Sequence, residues 1–218
     1  MTIIAISGLI GSGKDTVADY LVNVHGFRRD SFANNLKDAV SAIFGWDRQL
    51  LEGNTKKSRL WREEVDVWWA IRLGIPELTP RWILQNIGTD VIRNSFHNDI
   101  WVASLENKLR KGKDNIVISD VRFTNEVEIL RTIGAISVCI FRGPEPKWFP
   151  TAMTAKSPDA DQRAAAKILL QDQFKVHRSE WDWIGCEFDI ALDNNGTIDD
   201  LYTQVADLII AKCHPRHT

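Results

Sequence analysis

The sequence predicts an α/β chain: a three-layer α/β/α sandwich around a central parallel sheet, with a helical insertion and a lid. Three observations carry that expectation. Short apolar runs alternate with helix-period segments, the pattern of strands covered by helices on both faces. The run Ile3-Ile4-Ala5-Ile6 passes directly into the glycine-rich turn Gly8-Leu-Ile-Gly11-Ser12-Gly13-Lys14, and a helical pattern follows. Asn115-Ile-Val-Ile-Ser119 is continuously apolar, as a strand buried on both faces requires. A length of 218 residues suits one such domain with an insertion, and 44% hydrophobic residues supply its core.

Taken in order, residues 2–7 read as a strand and 15–25 as a helix. Val17, Tyr20, Leu21 and Val24 share a face of that helix, and Gly26 stops it. A short strand over 27–32 leads to a helix near 34–44 with Leu36, Val40 and Ile43 aligned. Residues 45–78 carry Lys56-Lys57-Ser58-Arg59 and Arg62-Glu63-Glu64, which reads as a solvated helix face or loop, or as a mobile acceptor-side segment. Thr79-Pro80 opens a helix running to about 95, as cap and first-turn proline, and another helix covers 99–110. Helix 123–133 ends at Gly134, and strand 135–141 ends at Arg142. The stretch 143–158 holds Pro144, Pro146, Pro150 and Pro158 and reads as a loop. Helix 159–175, strand 186–192, the turn Asp193-Asn194-Asn195-Gly196 and helix 197–212 complete the chain, with disorder expected after 212.

Parallel strands joined by right-handed crossovers put every carboxyl end on one edge, where loops make a site. That edge collects the glycine-rich loop, Asp120, Arg142 and the Asn195-Gly196 turn. The loop fits G-x-x-x-x-G-K. Gly11, Ser12 and Gly13 let backbone N–H groups converge on an anion, the helix start adds its own free donors, and Lys14 reaches the β- and γ-phosphates. After the lysine, where Ser or Thr usually binds Mg²⁺, stand Asp15 and Thr16. Either Asp15 holds the metal, directly or through water, or Thr16 takes the role, or Asp15 is simply a favourable acid in a first helical turn.

Ser119-Asp120-Val121-Arg122 follows the buried strand. Its carboxylate suits a Mg²⁺-binding or water-positioning role after a second strand and its arginine a phosphate contact, or the two are a helix N-cap and a surface arginine. In Arg81-Trp-Ile-Leu-Gln85-Asn-Ile-Gly88-Thr89-Asp90, Arg81 and Gln85 share a helix face. Arginine clamps phosphates and glutamine reads a base edge. Gly88 inside a helix signals close approach by a ligand or another helix. Arg142 at a strand end, or Arg163 beyond the proline-rich loop, has the charge to neutralise a transferring phosphoryl group. His177-Arg178-Ser179-Glu180 lies beside the expected lid, and its histidine reads as structural or catalytic.

Net charge is −2, so no broad basic surface marks stable nucleic-acid binding. No apolar stretch approaches membrane-spanning length. Cys139, Cys186 and Cys213 lack metal-ligand spacing; the first two fall in strand-like runs and read as core filler, and the odd count without a leader suggests a reducing compartment.

Together these stretches resemble the phage-type deoxynucleoside monophosphate kinases, a branch of the P-loop kinases. The similarity runs through Ser12 to Thr16 (S-G-K-D-T), Phe32-Ala33, Leu36-Lys37-Asp38, Gln85 with Gly88-Thr89-Asp90, Trp101-Val102, Asp120 with Arg122, Glu126, Gly134-Ala135 and Arg142. Block 81–90 with Trp101 is its most specific part, and 45–78 matches poorly. The resemblance implies transfer from ATP to a deoxynucleoside monophosphate, with Mg²⁺, small nucleotide substrates, a homodimer and a cytoplasmic setting (the host's, if viral). It implies one domain with core 1–32, 113–142 and 185–212, an acceptor-binding helical region 33–112 and a lid 143–184. Lys14, Asp15, Asp120 and the loop amides would serve the donor and its metal, with Asn195 and Gly196 at the donor base and Arg122 and Arg142 on the transferring group. Lys37, Arg81 and Arg122 would hold the acceptor phosphate, and Gln85, Gly88, Thr89 and Asp90, with Phe32 or Trp101 stacking, would hold the base. Kinases of other small phosphate acceptors, of dephospho-coenzyme A or phosphomevalonate type, are the nearest rivals. A nucleotide-dependent switch is the rival of another class, although a guanine-reading N-K-x-D is missing.

Overall fold

The computed structural model describes residues 1–213. In chain order it runs β1 (Ile3–Gly8), α1 (Lys14–His25), β2 (Arg28–Asp30), α2 (Asn34–Phe44), α3 (Lys56–Glu63), α4 (Val67–Leu73), α5 (Pro80–Gln85) and α6 (Ile100–Leu109). It continues β3 (Ile116–Ile118), α7 (Thr124–Thr132), β4 (Ile136–Phe141), α8 (Phe149–Thr154), α9 (Ala160–Ile168), α10 (Arg178–Trp181), β5 (Ile190–Asp193) and α11 (Ile198–Leu208). Helices α5, α9 and α11 each run on into a π-helical stretch, Asn86–Arg93, Leu169–Gln173 and Ile209–Cys213. The disorder expected beyond 212 falls almost wholly outside the described residues.

The chain divides into two compact units: Met1–Ser31 with everything from Gly112 onward, and Phe32–Lys111. The first unit holds the whole sheet. Its order is β2-β3-β1-β4-β5, and every pairing is parallel. The chain fills the β2-β3 side first and then crosses to β4 and β5. β1 is therefore the strand at which direction reverses, and ligands of open α/β sheets bind at such points. Alternation within the strands sorts the core into two layers. Ile4, Ile6, Val138 and Ile140 pack with Val17 and Leu21 of α1 and Leu201, Val205 and Leu208 of α11. Cys139 faces the other way, into Ala152 of α8, Ala166 of α9, Leu170, Trp181, Trp183 and Ile184.

The second unit is helical. Thr79 Oγ1 accepts from Trp82 N at 3.1 Å and Pro80 takes the first turn, so α5 starts where its sequence signals place it. Thr55 and Ser58 form a capping box on α3, and Asp66 caps α4 through Trp69 N, so 45–78 contains two short helices.

Several details differ from the pattern-based expectation. Val24, Ile43 and Ile198 lie in register with buried faces yet are exposed, because periodicity fixes a direction and not how far the neighbouring layer extends. Residues 143–158 are not all loop: α8 begins at Phe149-Pro150, with proline in the first turn, where its missing N–H does no harm. Cys186 lies outside any strand, since β5 begins only at Ile190. Within the expected lid, Trp181, Trp183 and Ile184 are buried core residues.

Candidate active site

The phosphate loop leaves β1 at Gly8 and enters α1 at Lys14. Gly13 caps α1 with φ +104°, and a Cβ there would lie 2.4 Å from Asn194 Nδ2, so no other residue fits without displacing the loop. Lys14 Nζ donates to the carbonyls of Gly8 and Leu9, both at 2.7 Å, which arches the side chain back over its own loop. Burial pushes the Lys14 ammonium down from 10.5 to about 8. Arg122 adds to the fall, and Asp15 and Glu180 oppose it. Ser12 is 2% exposed, and its Oγ makes no hydrogen bond.

Asp15 is exposed in the first turn of α1 and is ion-paired with Arg29 of β2. Arg29 also donates to Asp19 at 3.0 Å and to Ser119 Oγ at 2.7 Å, tying α1 to the end of β3. Asp120 follows that strand, and its Oδ2 accepts from Ser31 Oγ at 2.5 Å. No group of three His, Cys, Asp or Glu side chains able to hold a metal occurs among the described residues. Mg²⁺ in phosphoryl-transfer sites is held by one or two carboxylates plus substrate phosphates and water, so Asp15 and Asp120 fit a cation arriving with its nucleotide.

Arg122 stands at the same edge. Its backbone N donates to Glu126 Oε2 at 2.8 Å and its Nη1 to Glu180 Oε1 at 3.1 Å. Arg142 is exposed just past the end of β4. In the turn after β5, Asn195 Oδ1 accepts from Gly143 N at 2.7 Å, and its own N and Nδ2 bond Asp193. Gly196 lies so near Asp200 that a Cβ would meet its Oδ2 at 2.6 Å. The contact to the phosphate loop is made by Asn194, whose Nδ2 donates to Ser12 O at 2.8 Å. Pattern reading singled out Asn195-Gly196 as the turn signal and missed Asn194. It missed Arg29 as well, which no local motif marks.

In the helical unit, Gly88 and Thr89 are buried in the π-helical stretch after α5, a geometry that often marks functional sites. A Cβ on Gly88 would lie 2.6 Å from Leu36 Cδ2, so the close approach its sequence position signals is to α2. Trp101 Nε1 donates to Gly88 O at 2.8 Å, and the ring is buried, so Trp101 acts on this block by fixing Gly88. Lys37 is 12% exposed and bonds Glu52 Oε2 at 2.7 Å. Arg81 pairs with Glu63 at 3.1 Å on the surface. Gln85 is half-buried, Asp90 exposed and Phe32 buried. Neither Lys37 nor Arg81 was expected to have a carboxylate partner, since both partners lie in 45–78, read as a solvated helix face or loop or a mobile segment.

A parallel sheet of this order, with a G-x-x-x-x-G-K loop at the carboxyl end of its central strand and a lysine, arginine and two aspartates around it, defines a P-loop nucleotide-binding protein. Within that class the chain is similar to the deoxynucleotide monophosphate kinases. A family model of deoxynucleotide monophosphate kinase matches residues 70–148. A mimivirus protein named putative deoxynucleotide monophosphate kinase is 28% identical over 94% of each chain. The deoxynucleoside-5'-monophosphate kinase of Escherichia phage T5 is 28% identical over 59% of this chain and 71% of its own. The deoxynucleotide monophosphate kinase of Enterobacteria phage T4 is 20% identical over 94% of this chain and 97% of its own.

Proposed function

We propose that this chain transfers the γ-phosphoryl group of ATP to deoxynucleoside 5'-monophosphates, giving the diphosphate and ADP, and so supplies precursors for DNA synthesis in a virus-infected cytoplasm. The observation that carries the reading is the block Arg81–Trp101. It is built around buried Gly88, it lies within the matched span 70–148, and it accompanies a complete phosphate loop.

The chemistry asks little covalent work of the protein. An oxygen of the acceptor phosphate attacks the γ-phosphorus in line, and the bond to the β,γ-bridging oxygen breaks. That acceptor oxygen is already anionic, so no general base is required. Lys14 and the N–H groups of 11–14 hold the donor phosphates. Arg122 and Arg142 neutralise charge on the transferring group. Arg81 takes the acceptor phosphate by exchanging Glu63 for it, an exchange made easy because exposed carboxylate pairs are weak, and Lys37, held by Glu52 in a largely buried pair, supplies a second cation to the same phosphate. Gln85 and Asp90 read the base, and Asn195 and Gly196 flank the donor base. Asp15 and Asp120 would hold Mg²⁺, which would supply positive charge to the nucleotide's phosphates. Of the expected lid 143–184, the largely exposed stretch 158–165 is the part left to keep water from the γ-phosphate, since Trp181, Trp183 and Ile184 belong to the core. Homodimer formation belongs to the same reading, and the exposed Val67, Trp68 and Ile71 of α4 supply apolar surface for it. Sedimentation of the wild-type chain decides that point.

The deciding experiment is an initial-rate panel with ATP against every dNMP, every NMP, dephospho-coenzyme A and phosphomevalonate. Turnover with one or more dNMPs is expected. Turnover confined to acceptors other than dNMPs overturns the reading.

A further inference from the structure

Residues 177–184 form a turn fixed far more firmly than four helical residues need. His177 caps α10: its Nδ1 accepts from Ser179 N at 3.2 Å and lies 2.9 Å from Ser179 Oγ. The Asp182 carboxylate accepts from Arg178 Nη2 and from Lys156 Nζ, both at 3.2 Å. The Asp182 carbonyl accepts from Thr124 Oγ1 at 2.7 Å and from Lys156 Nζ at 2.6 Å. The Arg178 guanidinium lies 5.5 Å from the centre of the Phe123 ring. Trp181 and Trp183 are buried beneath the turn, and Trp183 Nε1 donates to Glu180 O at 3.1 Å. The turn is thereby locked onto the segment after β3 that carries Asp120 and Arg122.

Glu180 is the side chain this lock presents to the site. It is 17% exposed, and its Oε1 accepts from Arg122 Nη1. It also lies within the electrostatic reach of Lys14. Arg122 spends only one N–H on it, so the rest of the guanidinium fork stays available.

We propose that Glu180 is a positioning residue for phosphoryl transfer, holding one edge of the Arg122 guanidinium so that the other edge meets the transferring group. The proposal rests on the phosphoryl-transfer reading above. A long arginine side chain must otherwise be ordered at the moment of reaction; one already held loses nothing then. The carboxylate also offsets repulsion between Arg122 and Lys14, two cations aimed at the same anion.

The test is Glu180→Gln, which keeps size and removes charge, with the exposed Glu187→Gln as control. Glu180→Gln is expected to lower kcat about tenfold with little change in the acceptor KM, the scale by which a hydrogen bond to a charged acceptor exceeds one to a neutral amide oxygen. In an Arg122→Ala background the same substitution is expected to add almost nothing. Glu180→Asp, which restores the carboxylate on a shorter stem, is expected to recover part of the lost kcat. An equally large further fall in kcat from Glu180→Gln in the Arg122→Ala background, or a kcat of the single variant within twofold of wild type, overturns the proposal. If wild type fails with every dNMP, the substrate reading falls by itself. ATP hydrolysis without an acceptor then decides Glu180: a fall with Glu180→Gln that disappears in the Arg122→Ala background supports it, and an unchanged rate overturns it.

Discussion

Lys14 is the residue whose surroundings say most about how the site behaves. Burial and the nearby Arg122 bring its ammonium to about 8, within reach of ordinary assay conditions. Phosphates bind the protonated form, which prevails below that value. Affinity for a non-hydrolysable ATP analogue should therefore be flat below pH 8 and fall by up to about tenfold per unit above it. Calorimetric titration from pH 6.5 to 9.5 measures this, and a flat profile throughout would contradict the environment described for Lys14. Lys14→Ala is expected to remove nearly all transfer with little change in the thermal midpoint, read by coupled assay and circular dichroism. At this scale the sequence was legible wherever structure is local: Gly11 to Thr16 lead from the end of β1 into α1, as the motif requires. It was silent on Asn194, which meets Ser12 across 182 positions, and on Arg29, whose three partners come from α1 and the end of β3. Such contacts are made by the fold and leave no spacing to read.

Single elements show the same division between what is local and what is not. Helix α5 was legible because Thr79 and Pro80 are chemical start signals. The change to π-helix at Asn86–Arg93 was not, because no local signal marks it; within it Gly88 lies against Leu36 of α2. Gly88→Ala would drive a methyl into Leu36 Cδ2 and is expected to cost about 1–3 kcal/mol, the range for overpacking a filled interior. Leu36→Ala in the same chain should recover part of the loss, and urea midpoints of the four variants give the coupling. The α10 turn makes a second case. Burial pushes the Asp182 carboxyl up, but Lys156 and Arg178 outweigh it and hold it below its usual 3.8. A carboxyl with a lowered folded-state value stabilises above 3.8 and loses that contribution as pH falls through the folded value. Lys156→Met breaks a buried pair and is expected to cost about 3 kcal/mol at pH 7. It should also narrow the gap in urea midpoint between pH 7 and pH 3, since the carboxyl returns toward its ordinary range. An unchanged gap would mean that Lys156 does not hold Asp182 down.

For the whole molecule, the division at Ser31–Phe32 and Lys111–Gly112 assigns the proposed donor and acceptor residues to different compact units. Lys14, Asp15, Asp120, Arg122, Arg142, Asn194 and Asn195 belong to the sheet-bearing unit, and Lys37, Arg81, Gln85, Gly88 and Trp101 to the helical one. A ligand that binds only the folded form stabilises what it touches by about 2.7 kcal/mol at a hundredfold excess over its Kd. Amide exchange should therefore resolve the two substrates. A non-hydrolysable ATP analogue alone is expected to protect 8–16 and 119–122 while leaving 80–93 near its free rate, and a dNMP alone to do the reverse. Slowing reaches an amide only if its opening requires release of the ligand, so protection reports which unit each nucleotide holds. Protection of 80–93 by the ATP analogue alone, with no effect of any dNMP there, would reverse the assignment of donor and acceptor residues while leaving the phosphate loop in place.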